Sequence, residues 1–213
     1  MVEQYKGTTT VGIVCKDGVV LAAEKRAAMG YFTISKDAEK ILEIEKNMAI
    51  TIAGTVADGQ TLARILKTEA KLFRTRSGRS MSVESMSSLL SNLLFQYKMV
   101  PFLSQIILGG VEGDGKARLY SFDPFGGMST DKYTVTGSGS PAAMAILDDS
   151  YSEGKDVKEG AILAARAVST AIKRDVFSGE GIDILMITKD GIKRLRKEDV
   201  EKMVEPDKAT KKR

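Results

Sequence analysis

The sequence predicts an α+β protein of four layers, in which two antiparallel sheets pack face to face and helix pairs cover both outer sides. Apolar alternation of the kind found in strands fills the first part of the 213 residues, and a helical period then replaces it. The predicted elements follow the order strands, two helices, strands, two helices, strands, without the strand–helix alternation of a parallel sheet. Because neither a repeat nor a shift in composition marks an internal boundary, we expect one domain over residues 8–204.

The predicted strands are short apolar runs bounded by turn residues. Asp17-Gly18 and Asp190-Gly191 are strong hairpin signals, since both pairs favour the tight turns that join antiparallel strands. The run 48–53 mixes Thr, Ile and Ala, which suits a buried strand, and Gly54 ends it. The predicted strands are 9–15, 19–24, 31–35, 41–44, 48–53, 104–109, 117–122, 133–136, 182–188 and 192–196.

Helical periodicity predicts two helix pairs and a short closing helix. Leu62, Leu66 and other apolar side chains share one face of the first helix, with basic residues elsewhere. Ser82 can cap the second helix, and Asp156-x-x-Glu159 has the pattern of a capping box for the fourth. The predicted helices run from 58 to about 75, from 83 to 97, from 140 onward, from 157 to about 174 and from 197 to 204.

The chain contains no histidine and one cysteine, which excludes much of the common hydrolytic machinery. A Ser-His-Asp triad or a Cys-His pair needs an imidazole, and zinc sites of Cys and His need ligands that are absent. One remaining option is a threonine at a chain N-terminus, whose own α-amine is the base. Three threonines follow Gly7 at the start of a strand, where β-propensity alone also explains them. Cleavage before Thr8 would give it an α-amine that titrates at about 7.7–8.0.

Charge and apolar content bear on partners and location. Most of the net charge of +4 lies between Asp207 and Arg213, so the body lacks the clustered basic surface of a nucleic-acid-binding protein. We expect 205–213 to form a disordered basic tail. No apolar run approaches the roughly 18 residues of a transmembrane helix, so we expect no membrane partner. Cys15 lies in a strand pattern without a second cysteine, and a cytoplasmic location fits.

Several segments taken together resemble the β-subunits of archaeal-type proteasomes, over the body from Thr8 to about Arg196. The resemblance rests on Gly7-Thr8-Thr9-Thr10-Val11-Gly12, Ala23-Glu24-Lys25-Arg26, Lys40, Ala53-Gly54, Thr136-Gly137-Ser138-Gly139-Ser140-Pro141 and Arg174-Asp175-Val176-Phe177-Ser178-Gly179. It implies the N-terminal-nucleophile hydrolase fold, a helix–sheet–sheet–helix sandwich. It also implies a threonine endopeptidase that degrades unfolded polypeptides without a metal or organic cofactor. Such subunits assemble with α-subunits and other β-subunits into stacked seven-membered rings, which a regulatory ATPase approaches through the α ring.

The resemblance also assigns the nucleophile and the residues beside it. Thr8 corresponds to the nucleophile that is exposed when the propeptide, residues 1–7, removes itself after Gly7. Lys40 corresponds to the lysine whose ammonium orients the threonine hydroxyl. Glu24 stands where many relatives carry aspartate, and a carboxylate there holds Lys40 in place. Gly54 corresponds to the glycine whose backbone N–H stabilises the oxyanion.

Three further residues match the group around the α-amine. Ser138 and Asp175 correspond to residues that hydrogen-bond the amine and fix its proton, and Ser178 belongs to the same cluster. Read without the resemblance, Ser138 is equally a helix-cap residue and Asp175 a charge at a helix end. An aspartate conflicts slightly with a helix C-terminus, where the dipole prefers cations, and this favours a functional role.

Family position also outlines the substrate site. The residues that would line the specificity pocket are all apolar and uncharged, which predicts cleavage after apolar residues: Ala27, Ala38, Leu42, Ile52 and Val56. Ala28 stands where relatives often have Thr or Ser, in a segment that pairs with the substrate through its backbone.

Three alternative functions remain at this stage. The first is a non-catalytic, architectural β-subunit, and the second is the simpler bacterial two-ring protease of the same fold. The third is an amidase of the same superfamily that acts on small molecules.

Overall fold

A computed structural model of the chain describes residues 7–29 and 32–204. The predicted propeptide, apart from Gly7, and the predicted basic tail lie outside the described residues. The strands are β1 (Thr10–Cys15), β2 (Gly18–Glu24), β3 (Ala27–Met29), β4 (Phe32–Ser35), β5 (Ile41–Glu45), β6 (Met48–Gly54), β7 (Ser104–Val111), β8 (Ala117–Phe122), β9 (Met128–Thr130), β10 (Tyr133–Thr136), β11 (Ile182–Thr188) and β12 (Gly191–Arg194). The helices are α1 (Val56–Ser77), α2 (Val83–Gln96), α3 (Ser140–Ser150), α4 (Val157–Arg174) and α5 (Lys197–Val204).

The strands form two five-stranded antiparallel sheets and one short hairpin. The first sheet has the order β10-β1-β2-β11-β12 and the second has the order β5-β6-β7-β8-β9, while β3 pairs with β4. Strand β1 therefore lies between the ends of β10 and β2. Because both pairings are antiparallel, the residues just before β1 lie close to the residues that follow β10 and to the last residue of β2.

Three apolar clusters confirm the predicted four layers. One cluster joins the first sheet to α3, α4 and α5, and a second joins the other sheet to α1 and α2. The third lies between the sheets, where Leu21 of β2 packs in the same cluster as Ile107 of β7. Because each sheet is covered on both faces, its central strands are almost wholly buried: every residue of β2 is buried, and so is every residue of β6 except Gly54.

The predicted caps of two helices are confirmed. The Ser82 hydroxyl accepts a hydrogen bond from the Ser85 N–H at the start of α2. Asp156 and Glu159 form the reciprocal capping box of α4. Helix α1 ends at Ser77, where Gly78 adopts the left-handed conformation that commonly closes a helix.

Two strands were absent from the sequence-based prediction. Both β3 and β9 have only three residues, which is too short for an apolar alternation to be recognised. The residues of β9 are also all exposed. Helix α1 also begins at Val56 rather than at Asp58. Among the helices that the structure describes, none combines the length with the apolar character that crossing a bilayer requires.

Candidate active site

Thr8 lies two residues before the start of β1, at one end of the first sheet. It is 5% exposed while Gly7 is still attached to it. Within β1, Thr10 pairs with Ala23 of β2 on one side and with Thr136 of β10 on the other. Glu24 ends β2, and Ser138 comes two residues after β10, so the antiparallel register delivers both side chains to Thr8.

Lys40 reaches the same place from the second sheet. It precedes β5, and its carbonyl oxygen accepts a hydrogen bond of 2.9 Å from the Ile52 N–H of β6. Its Nζ donates to the Thr8 Oγ1 over 2.9 Å and forms an ion pair with the Glu24 carboxylate. Lys40 is 5% exposed and Glu24 is fully buried, so water is nearly excluded from this pair.

The Glu24 carboxylate has a partner for each oxygen. Oε1 faces Lys40, while Oε2 accepts hydrogen bonds from the N–H groups of Arg26, at 2.8 Å, and Gly179, at 3.0 Å. The Glu24 side chain therefore contacts the lysine through one oxygen and the backbone through the other. Because both oxygens are bonded, the carboxylate is held in one orientation.

Burial disfavours the charged form of both partners. It raises the pKa of Glu24 above 4.5, and the nearby Lys40 charge and its hydrogen bond oppose that rise. Burial also lowers the pKa of Lys40 below 10.5, and here the Glu24 carboxylate opposes the fall. Each charge is therefore maintained by the other, and Lys40 releases its proton more readily than a lysine in water would.

A second group of side chains surrounds the Thr8 nitrogen. The Thr8 N–H donates to the Ser138 hydroxyl over 3.2 Å. Ser138 and Ser178 each donate a 2.6 Å hydrogen bond to the same oxygen of Asp175. The Ser178 hydroxyl also lies 2.8 Å from the Thr9 hydroxyl. Since Gly179 follows Ser178 and bonds Glu24, this group and the lysine side of the site form one continuous network.

Gly7 occupies a confined position beside the Thr8 hydroxyl. The Thr8 Oγ1 donates a 2.6 Å hydrogen bond to the Gly7 carbonyl oxygen, so the hydroxyl lies directly beside the peptide bond it would attack. A Cβ atom built on Gly7 would overlap the Cβ of Phe177 and would come within 2.9 Å of the Ser138 Oγ. Only glycine fits here without displacing the segment that carries Asp175 and Ser178.

Gly54 ends β6 with a φ of +129°, a conformation that residues with a side chain rarely adopt. A Cβ atom there would also collide with the backbone carbonyl of Leu103. The structure thus explains why the position needs glycine. The proposed hydrogen bond from its N–H to an oxyanion remains a prediction.

The predicted specificity residues lie in several elements near Lys40. Leu42 and Ile52 both belong to the apolar cluster beneath α1, whereas Val56 at the start of that helix is 42% exposed. The Ala38 N–H donates to the Lys25 carbonyl over 2.9 Å, beside β3, which contains Ala27 and Ala28. A cavity of about 970 Å³ near Lys25, Asp183 and Arg194 is lined by none of the predicted specificity residues.

Two features of the site were not anticipated. Thr9 joins the network through Ser178, although its position at a strand start gave only a β-propensity signal. The backbone N–H groups of Arg26 and Gly179 orient Glu24, and no side-chain pattern could indicate backbone donors. Within residues 7–29 and 32–204, no group of three or more Cys, Asp or Glu side chains is arranged to hold a metal ion.

Comparison with known proteins supplies an independent observation. Residues 4–187 match a protein family described as "Proteasome subunit". A protein of Methanocaldococcus jannaschii named "Proteasome subunit beta" is 46% identical over 205 residues, which span 96% of this chain and 92% of the relative. One of Archaeoglobus fulgidus with the same name is 48% identical and covers 96% of this chain and 97% of the relative. "Proteasome subunit beta 2" of Pyrococcus abyssi is 47% identical over 195 residues, 92% of this chain and 93% of the relative.

Proposed function

The chain belongs to the proteasome subunit family, whose β-subunits are proteases, and on that premise we propose that it is a threonine endopeptidase with Thr8 as its nucleophile. The observation that carries the proposal is the buried chain of contacts from the Thr8 hydroxyl to Lys40 and from Lys40 to Glu24. A chain without histidine has few other ways to activate a hydroxyl. The Thr8 nitrogen, held by Ser138, would become the α-amine that serves as the base.

The reaction proceeds by acyl transfer. The free α-amine takes the proton of the Thr8 hydroxyl, and Oγ1 attacks the substrate carbonyl carbon. The oxyanion is stabilised by the Gly54 N–H, and a preorganised donor of this kind typically contributes about 2.7–4 kcal/mol. The protonated amine then gives its proton to the leaving nitrogen, and the C–N bond breaks to leave an ester on Thr8. Water, deprotonated by the same amine, hydrolyses the ester and restores the hydroxyl.

Activation uses the same groups before the α-amine exists. In the uncut chain the Thr8 nitrogen is an amide and is not basic, so the Thr8 hydroxyl attacks the carbonyl carbon of Gly7. Lys40 in its neutral form, which burial favours by lowering its pKa, accepts the hydroxyl proton. Lys40 then returns this proton to the Thr8 nitrogen as the C–N bond breaks, so the Gly7 acyl group moves to Oγ1 and the nitrogen becomes an amine. Water hydrolyses the resulting ester. This step releases residues 1–7 as the propeptide.

Membership of the family implies assembly with other proteasome subunits. The finer statement, that the partners are α-subunits and further β-subunits in stacked seven-membered rings with a regulatory ATPase at the α ring, is part of this proposal. So are unfolded polypeptides as substrates, cleavage after apolar residues and a cytoplasmic location. The lone buried Cys15 suits a reducing compartment.

The alternatives are less well supported. An architectural subunit has no need of a buried Lys40–Glu24 pair bonded to a threonine hydroxyl, because burying two charges is costly. The similarity to archaeal β-subunits over nearly their whole length disfavours the bacterial two-ring protease. Parallel assays with casein and with small amides would identify an amidase.

The test is replacement of the nucleophile in the assembled particle. We expect Thr8→Ala to assemble with α-subunits, to retain residues 1–7 by mass spectrometry and to cleave no peptide. Thr8→Ser should keep part of the activity because it retains a hydroxyl and, once cut, an α-amine. Wild-type turnover by an assembled Thr8→Ala particle would show that another residue is the nucleophile.

A further inference from the structure

The residues of the proposed site are divided between the two sheets. Thr8 precedes β1, and Ser138 follows β10 of the first sheet, whereas Gly54 ends β6 of the second. A side chain of one sheet that hydrogen-bonds to a loop of the other sheet can therefore set the geometry of the site without touching the substrate.

Gln105 makes such a bond. It lies in β7 of the second sheet, opposite Ala53 of β6 and one residue from the pair formed by Gly54 and Ser104. Its Oε1 accepts a hydrogen bond from the Gly137 N–H over 3.1 Å. Since a backbone N–H can only donate, the atom that faces it must be the amide oxygen of Gln105 and not its nitrogen.

The loop that Gln105 bonds is the loop that holds Thr8. Gly137 has a φ of +94°, and a Cβ atom there would collide with the Thr8 carbonyl oxygen. The next two residues also contact Thr8, because the Ser138 Oγ accepts from the Thr8 N–H at 3.2 Å and the Gly139 N–H donates to the Thr8 carbonyl at 3.4 Å. A shift of Gly137 is therefore transmitted directly to the hydroxyl that fixes the future α-amine.

We infer that Gln105 is a positioning residue for the reaction, which holds the Ser138 loop against Thr8 by accepting the hydrogen bond of the Gly137 N–H. The inference rests on the proposed threonine mechanism and adds a residue to it. Gln105 acts through Ser138 and does not touch the reacting atoms. Its side chain lies at the surface, so replacing it removes no part of the apolar core.

The first experiment compares Gln105→Met and Gln105→Glu in the assembled, self-cleaved particle. Methionine has a similar length but is a poor acceptor, whereas glutamate keeps an oxygen in the same place. We expect Gln105→Met to lower kcat about three- to tenfold, as loss of one hydrogen bond predicts, with KM nearly unchanged. Gln105→Glu should recover most of that rate. Gln96→Met at the exposed end of α2 is the matched control and should behave as wild type.

A double-mutant cycle distinguishes positioning from general stability. If Gln105 acts through Ser138, Gln105→Met should cost much less in a Ser138→Ala background than alone. Additive losses would contradict the inference. A direct structural readout does not depend on turnover: the Gly137 amide should exchange its hydrogen faster in Gln105→Met and not in the Gln96→Met control.

The outcomes separate the two proposals. Equal kcat and equal Gly137 exchange in wild type and Gln105→Met would overturn the role of Gln105 and leave the threonine mechanism intact. If an assembled Thr8→Ala particle turned over peptide as fast as the wild type, that result would instead overturn the proposed function. If Gln105→Met did not assemble, the hydrogen-exchange comparison would be made on the isolated subunit, where unchanged exchange would again contradict the inference.

Discussion

The Nζ of Lys40 lies 2.9 Å from the Oγ1 of Thr8, although Thr8 precedes a strand of the first sheet and Lys40 precedes a strand of the second. The distance between them is therefore set by how the sheets pack. A cluster of apolar side chains lies between the sheets, and a 2.8 Å hydrogen bond between the hydroxyls of Thr10 and Thr51 joins the two sheets. Close packing of this kind resists small displacements, so the packing of the two sheets holds the hydroxyl of Thr8, the proposed nucleophile, in place.

Lys40→Arg should nearly abolish peptidase activity although it conserves the charge. The buried space beside Thr8 and Glu24 accommodates a compact ammonium, and a planar guanidinium cannot present one donor to the hydroxyl in the same place. Steady-state hydrolysis of a peptide by the assembled particle measures the effect. Lys46→Arg, at an exposed turn, is the control. Retention of more than about a tenth of the rate, a loss under about 1.4 kcal/mol, would make Lys40 only a structural cation.

Glu24→Gln should move the pH dependence of self-cleavage to lower pH. Burial lowers the pKa of Lys40, and the Glu24 carboxylate works against that fall. Removing the carboxylate charge removes the opposing effect, so the pKa of Lys40 falls further and its neutral, basic form is populated at lower pH. The rate of loss of residues 1–7, followed by mass spectrometry at a series of pH values, reports the midpoint.

Glu24→Asp is the matched control because it keeps the charge. Its midpoint should stay near that of the wild type, although the shorter side chain can lower the rate itself. A midpoint that does not move in Glu24→Gln, or that moves to higher pH, would show that Lys40 is not the group that accepts the proton.

The elements that could be predicted from the sequence are those with a local signal. The apolar runs of β1 and β2, the Asp-Gly turns and the capping box at Asp156 depend on residues close together in the chain, and the structure has them where expected. Strands β3 and β9 could not be predicted, because three residues are too few to establish a period.

The contacts of the site show the same limit more clearly. Thr9 and Ser178 are separated by 169 positions, and Gln105 and Gly137 by 32, so nothing in the neighbourhood of either residue indicates its partner. Residues such as Lys40 and Ser138 could be identified only through the resemblance to a family. The resemblance named side chains, and it could not reveal that backbone N–H groups orient Glu24.

Gly7→Ala should slow self-cleavage at least about tenfold and leave the mature enzyme unchanged. The added Cβ would overlap the Phe177 Cβ and approach the Ser138 Oγ to 2.9 Å, so the carbonyl of residue 7 must move away from the Thr8 hydroxyl. A misplacement of about 1 Å at a reacting centre costs on the order of a hundredfold in rate, and partial relaxation reduces that cost.

The measurement is the appearance of a chain beginning at Thr8 after mixing with α-subunits. A chain produced with Thr8 already at its N-terminus is the control, because it is the mature product of both precursors and gives the peptidase activity that each should reach once cut. If Gly7→Ala is cut as fast as the wild type, the close contact between Gly7 and Phe177 does not govern the attack on the Gly7 carbonyl.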